Sequence, residues 1–168
     1  MENFNYCIVV PVYESKENFE KFVNLAEDLL SNQNEIEIIF VDDGNDYDLD
    51  TVINTNLKNF KLVKNKKNLG YGASIKKGVL LTNSKIIGII DCDNSYDLKH
   101  LIDLIIKFEN KECDLLVGKR IFEYKDFLPK VIFRKIINKL STLIFNYKVE
   151  DINSGLRVFY KKDFIKDL

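Results

Sequence analysis

Short apolar runs alternate with longer stretches of helical period along most of the chain. The first run, Tyr6-Cys-Ile-Val-Val-Pro-Val12, is continuous and β-branched, the pattern of a strand buried on both faces. Lys16–Leu30 places Phe19, Phe22, Val23, Ala26, Leu29 and Leu30 on one stripe, which predicts an amphipathic helix with Ser15 as its N-cap. Residues 37–41 predict a second strand, 49–57 a weaker helix, and Phe60–Lys64 a third strand. A helix over 73–81, a strand over 85–90, a helix over Leu98–Phe108 and a strand over 114–117 complete the regular part. Alternating units of this kind predict an α/β fold, a mostly parallel sheet flanked by helices, in a single domain spanning 1–168.

After Arg120 the pattern changes. Residues 121–147 mix Phe, Ile, Leu and Tyr with Lys125, Lys130, Arg134, Lys135 and Lys139, and 131–145 reads as an amphipathic helix. One reading lays it on an anionic membrane surface and the other packs it on the core; both stay open.

Composition narrows the function classes. A chain of 168 residues with 46% hydrophobic and 30% charged residues is that of a soluble globular protein. The net charge of -1 gives no electrostatic reason to expect nucleic acid. Cys7, Cys92 and Cys113 are far apart and form no C-x-x-C, so a cytoplasmic chain with reduced, buried thiols is expected. The lone His100 excludes a zinc site built on several histidines. Pro11, Glu14 and Lys16 interrupt the first apolar run, so no signal peptide is expected, and no apolar stretch reaches the ~20 residues of a membrane-spanning helix.

In a parallel sheet the ligand sits at the carboxyl ends of the strands. Here those ends carry Pro11-Val-Tyr13-Glu14, Asp42-Asp43-Gly44, Asp91-Cys92-Asp93 and Gly118-Lys-Arg120. Paired carboxylates at a strand tip hold Mg²⁺ or Mn²⁺, which neutralises a diphosphate. The D-x-D spacing recurs at Asp46-x-Asp48 and Asp48-x-Asp50, so what singles out Asp91 and Asp93 is their place after a buried strand. The competing reading makes them solvated acids capping the helix Leu98–Phe108. Asp42 and Asp43 suit a base N–H or a ribose hydroxyl, or else an ordinary turn before Gly44. The Gly-rich stretch 68–78 lacks the order of a phosphate loop and reads as a loop leading into a helix. Arg120 and Arg134 either clamp a diphosphate or acceptor phosphate, or are solvated.

Taken in order, these segments resemble the family 2 glycosyltransferases, within them most closely the polyprenyl-phosphate (dolichyl-phosphate) sugar transferases. The resemblance rests on Val9-Val-Pro11-Val-Tyr13-Glu14, Val41-Asp42-Asp43-Gly44-Asn45, Asn68-Leu-Gly70-Tyr-Gly72-Ala-Ser74 continuing to Gly78, Asp91-Cys92-Asp93, Gly118-Lys-Arg120 and Asp151-Ile-Asn-Ser154-Gly155-Leu-Arg157. It covers 6–162 and implies the GT-A fold, a Rossmann-like sheet. It also implies that Pro11, Tyr13, Glu14, Asp42, Asp43, Gly70, Asp91 and Cys92 serve the nucleotide-sugar donor, with Asp91 and Asp93 on a Mg²⁺ or Mn²⁺ ion. Departures are Asn45 for Ser, Ser74 for Ala, Cys92 for Ala, Lys119 for a small hydroxyl, Ile121 for an aromatic, and the lack of the usual Pro at Leu98. Relatives continue past the point where this chain stops, so a short natural member and a truncated one are both open.

The expectation is therefore an inverting, metal-dependent transferase that moves a sugar from a UDP- or GDP-linked donor to a polyprenyl or dolichyl phosphate. Asp93, Arg120 and Arg134 would act on the diphosphate and Asp151 as base, the last needed only for a hydroxyl acceptor. The rivals are a transferase acting on a saccharide hydroxyl, a sugar-1-phosphate nucleotidyltransferase (whose G-x-G-[TS]-R signature is missing), and a catalytically silent nucleotide-sugar-binding domain. Peripheral contact with the cytoplasmic face of a membrane goes with the lipid-phosphate reading.

Overall fold

The computed structural model of the protein describes residues 4–31, 33–53, 57–93, 95–110, 112–118, 136, 137, 139, 141, 142 and 154–166. Its centre is the first apolar run. Strand β1 (Tyr6–Val12) pairs in parallel with β2 (Ile36–Asp42) on one side and β4 (Ile86–Ile89) on the other, and β3 (Phe60–Lys64) adds in parallel outside β2. Beyond β4 the direction reverses: β6 (Arg157–Tyr160) runs antiparallel to β4, and β5 (Leu115–Val117) antiparallel to β6. The order is β3-β2-β1-β4-β6-β5.

Every residue of β1 and β2 is buried because helices cover both faces. Ile8, Val10 and Phe40 join the apolar faces of α1 (Lys16–Leu30) and α3 (Leu98–Phe108) in one core. Cys7, Val9, Ile39 and Val41 point the other way, onto Ile75 and Val79 of α2 (Tyr71–Leu81). Phe40 anchors the larger core, its ring edge-on to Phe19, Phe22 and Phe60 at centroid separations of 5.5, 6.3 and 5.7 Å.

β1, α1, β3 and α3 follow the hydrophobic pattern residue for residue. Ser15 caps α1 as expected, its Oγ accepting from Asn18 N at 3.4 Å. In the region read as a helix over 49–57, of which 54–56 lie outside the described residues, Leu49–Thr51 forms a 3₁₀ turn with Asp48 as its cap. Strand β6 and the short helix α4 (Lys161–Lys166) have no counterpart in the periodicity. Four residues are too few to show an alternation, and pairing with β4 and β5 defines them as a strand. Most of 121–147 lies outside the described residues; 136, 137, 139, 141 and 142 are helical. Among the described residues no helix is long and apolar enough to cross a membrane.

Candidate functional site

The loops after β1, β2 and β4 and the loop before α2 surround a cleft of about 330 Å³. Pro11, Tyr13, Glu14, Asp43, Gly70, Asp91, Cys92 and Asp93 line it together. Asp42 ends β2 beside the cleft without lining it. Arg120, Arg134 and Asp151 lie outside the described residues.

The first wall is stapled by Asn45. Its Nδ2 donates to Val12 O at 2.8 Å and to Asp42 Oδ1 at 2.8 Å, while its Oδ1 accepts from Glu14 N at 3.1 Å. Tyr47 adds an O–H bond to Glu14 O at 3.1 Å. The β1 loop is thus fixed to the β2 loop, leaving the Tyr13 side chain 66% exposed at the cleft. Asp42 Oδ1 also accepts from Gly44 N and Asn45 N, each at 3.0 Å, so this carboxylate closes its own turn. Gly44 is required there twice over. Its φ is +85°, and a Cβ would lie 2.6 Å from Asn68 N.

Asp43 holds the second wall. One carboxylate oxygen accepts from Asn65 Nδ2 and Leu69 N, both at 2.9 Å, and the other from Gly70 N at 2.9 Å. Asn65 Nδ2 also donates to Ser74 Oγ at 3.1 Å, and Lys77 Nζ to Asn65 Oδ1 at 2.8 Å. Burial pushes the Asp43 carboxyl up, but the bonds from Leu69, Asn65, Ser74 and Gly70 outweigh it and hold the group below its ordinary value. The amides leading into α2 are therefore spent on Asp43, in keeping with a loop leading into a helix. Ser74 contributes its hydroxyl to this network.

Asp91, Cys92 and Asp93 follow β4. The cap of α3 is Asp97, whose Oδ1 accepts from Lys99 N at 2.9 Å, so neither Asp91 nor Asp93 is needed for that task. Asp93 is exposed and its Oδ1 accepts from Ser95 N at 2.9 Å. Asp91 is partly buried; the Tyr71 hydroxyl hydrogen-bonds it, and burial, the Asp91 charge and this bond together raise the phenol. Cys92 packs inward, its thiol 3.8 Å from Pro11 O, and burial pushes it up to about 12. It is a neutral packing thiol, with no thiolate to act as a nucleophile.

Two carboxylates beside an open cleft are hard oxygen donors of the kind Mg²⁺ and Mn²⁺ take. No group of three or more His, Cys, Asp and Glu side chains able to hold a metal occurs among the described residues. The donor set thus fits an ion held by one or two carboxylates and completed by phosphate oxygens and water.

Several residues at the site escape sequence reasoning. Tyr71 and Gly155 flank Asp91, Tyr96 bonds Gly155 N, and Arg157, on β6 opposite Ile89, is near enough to oppose the rise of the Tyr71 phenol. All four lie in or beside segments singled out above; their roles depend on the fold of 154–157 against 91–96, which no spacing reveals.

A family model described as glycosyl transferase family 2 matches residues 7–168. The chain is similar to a dodecaprenyl-phosphate galacturonate synthase of Rhizobium johnstonii, 25% identical over 181 residues, covering 100% of this chain and 51% of that protein. It is 23% identical over 134 residues to a dolichyl-phosphate beta-glucosyltransferase of Dictyostelium discoideum, covering 71% of this chain and 41% of that one. The chain therefore spans about half, or less, of the length of the curated relatives it matches. In three dimensions it resembles a mannosyltransferase from Pyrobaculum calidifontis in complex with GDP-Man and Mn²⁺, with a TM-score of 0.67 at 12% identity, covering 98% of this chain and 46% of that one. The fold is GT-A.

Proposed function

Because this chain belongs to glycosyl transferase family 2, we propose that it transfers a sugar, with inversion, from a UDP- or GDP-linked donor to a polyprenyl or dolichyl phosphate. One observation carries the reading: the residues of four separate loops, Asp91 and Asp93 among them, line a single cleft at the carboxyl ends of parallel strands. The names of the two curated relatives favour the lipid-phosphate acceptor over a saccharide hydroxyl.

In this reading Pro11, Tyr13, Glu14 and Cys92 shape the nucleotide side of the cleft, with Tyr13 offering an exposed ring for the base to stack on. Asp42 and Asp43 hold the turn and the 68–70 loop around it, and the Gly70 backbone lies along the donor. Asp91 and Asp93 would hold Mg²⁺ or Mn²⁺, which when bound neutralises charge gathering on the departing diphosphate. Arg120 and Arg134 would add cationic charge there. A phosphate acceptor is already anionic near neutral pH, so Asp151 would serve as base only for a hydroxyl. The domain would work in the cytoplasm at the membrane face, with 121–147 as the contact.

The test is a thermal-shift series with UDP and GDP, each with and without Mn²⁺, followed by a transfer assay with polyprenyl phosphate. A nucleotide at 100 times its Kd adds about 2.7 kcal/mol to folding stability, so one diphosphate should raise Tm by several degrees only when Mn²⁺ is present. Asp93→Ala should abolish both this rise and transfer. Full metal-dependent stabilisation in that variant would sink the assignment.

A further inference from the structure

We propose that Tyr96 and Gly155 are positioning residues for the Asp91 carboxylate, locking the loop after β4 against the turn that leads into β6. The inference rests on the reading of Asp91 as a metal-holding group and goes beyond it to what holds that group in place.

Three observations carry it. Gly155 N–H donates to Tyr96 Oη at 2.8 Å, and Ser154 Oγ donates to the same oxygen at 3.3 Å, so one phenol gathers two groups 58 and 59 residues away in sequence. A Cβ built on Gly155 would lie 1.8 Å from Asp91 Oδ2 and 2.4 Å from Asp91 Cγ; the carboxylate fills the space where a side chain would stand. Finally, Gly155 is not among the glycines of positive φ, so its backbone does not demand glycine. The demand comes from the carboxylate.

The turn that makes this wall is itself fixed. Leu156 N–H donates to Ser154 Oγ at 3.1 Å, Arg157 Nε–H donates to Ser154 O at 3.1 Å, and Leu156 O accepts from Gly118 N at 2.9 Å. Asp91 therefore lies between the Tyr71 hydroxyl at the start of α2 and the Gly155 backbone. A carboxylate restrained on both sides keeps one orientation toward the cleft, and less freedom is lost when it takes a cation. Tyr96 acts through Gly155 and itself touches no reacting atom.

The experiment titrates the full chain with Mn²⁺, followed by the electron paramagnetic resonance signal of the free ion, alone and with UDP or GDP in separate arms. Tyr96→Phe, which removes the hydroxyl and with it the acceptor of both bonds, should weaken Mn²⁺ binding about tenfold, and Gly155→Ala by up to about a hundredfold, the range seen when groups supporting a metal ligand are removed. Circular dichroism and the metal-free Tm check that each variant is folded; a role confined to stability would shift Tm and leave Mn²⁺ affinity alone. If Asp91→Ala loses Mn²⁺ while Tyr96→Phe and Gly155→Ala bind it like the wild type, the positioning role is overturned and the metal reading stands. If Asp91→Ala binds Mn²⁺ like the wild type, the metal reading falls and takes this inference with it. Should Gly155→Ala fail to fold, Tyr96→Phe alone decides.

Discussion

Asp43 shows how one side chain serves structure and site together. It is only 3% exposed, and it keeps its charge because Leu69, Asn65, Ser74 and Gly70 all donate to it. Its folded value lies below the unfolded one, so its contribution to stability is complete above the ordinary aspartate value and is lost as pH falls toward the folded value. The Tm gap between wild type and Asp43→Asn should therefore be wide at neutral pH and should close below about pH 4. A gap that stays constant through acid unfolding would contradict this. Asn45 makes the same point in a departure from the family motif. Its amide reaches both Val12 and Glu14 in one staple, its Nδ2 donating to Val12 O and its Oδ1 accepting from Glu14 N.

At the scale of elements, the start of α1 was readable because capping is local chemistry between residues two or three apart. The side-chain caps of α1 and α3 differ in quality, however. Asp97 accepts from Lys99 N at 2.9 Å, whereas Ser15 sits 3.4 Å from Asn18 N. We expect Asp97→Ala to cost about 1 kcal/mol and Ser15→Ala a few tenths, measured by urea unfolding at equal slope. Equal losses would show that cap distance does not decide here. In the stretch where a helix was expected over 49–57, Asp48 accepts from Asp50 N and caps the 3₁₀ segment Leu49–Thr51, the local bonding by which Asp favours turns. Helix α2 begins at Tyr71, two residues before the expected start at 73, where Asp43 secures the amides of Leu69 and Gly70 from the loop after β2.

For the whole molecule, the load falls on β1 and β2, whose side chains alternate between the two helical layers. Phe40 is wholly buried among three aromatic rings, and Phe40→Ala should destabilise the domain by about 3–5 kcal/mol in chemical unfolding. A loss below about 1 kcal/mol would mean that the larger core collapses readily around the gap. The four parallel strands deliver the Tyr13, Asp43 and Asp91–Asp93 loops to one edge, while the reversed strand β6 brings Gly155 and Arg157 to the same place from the far end of the chain.

By itself the sequence determined the parallel βα core and most of the cleft. Buried strands announce themselves as unbroken β-branched runs, and in a parallel sheet their carboxyl ends share one edge, so Glu14, Asp43, Asp91 and Asp93 could be grouped before any coordinate was known. Only the tertiary structure decided that Asp43 is committed to the 68–70 loop, and that the Tyr71 hydroxyl and the Gly155 backbone enclose Asp91. Those choices depend on which of several polar groups lies within about 3 Å of a given carboxylate once distant segments pack, and a hydrogen bond's short reach leaves no periodic trace along the chain.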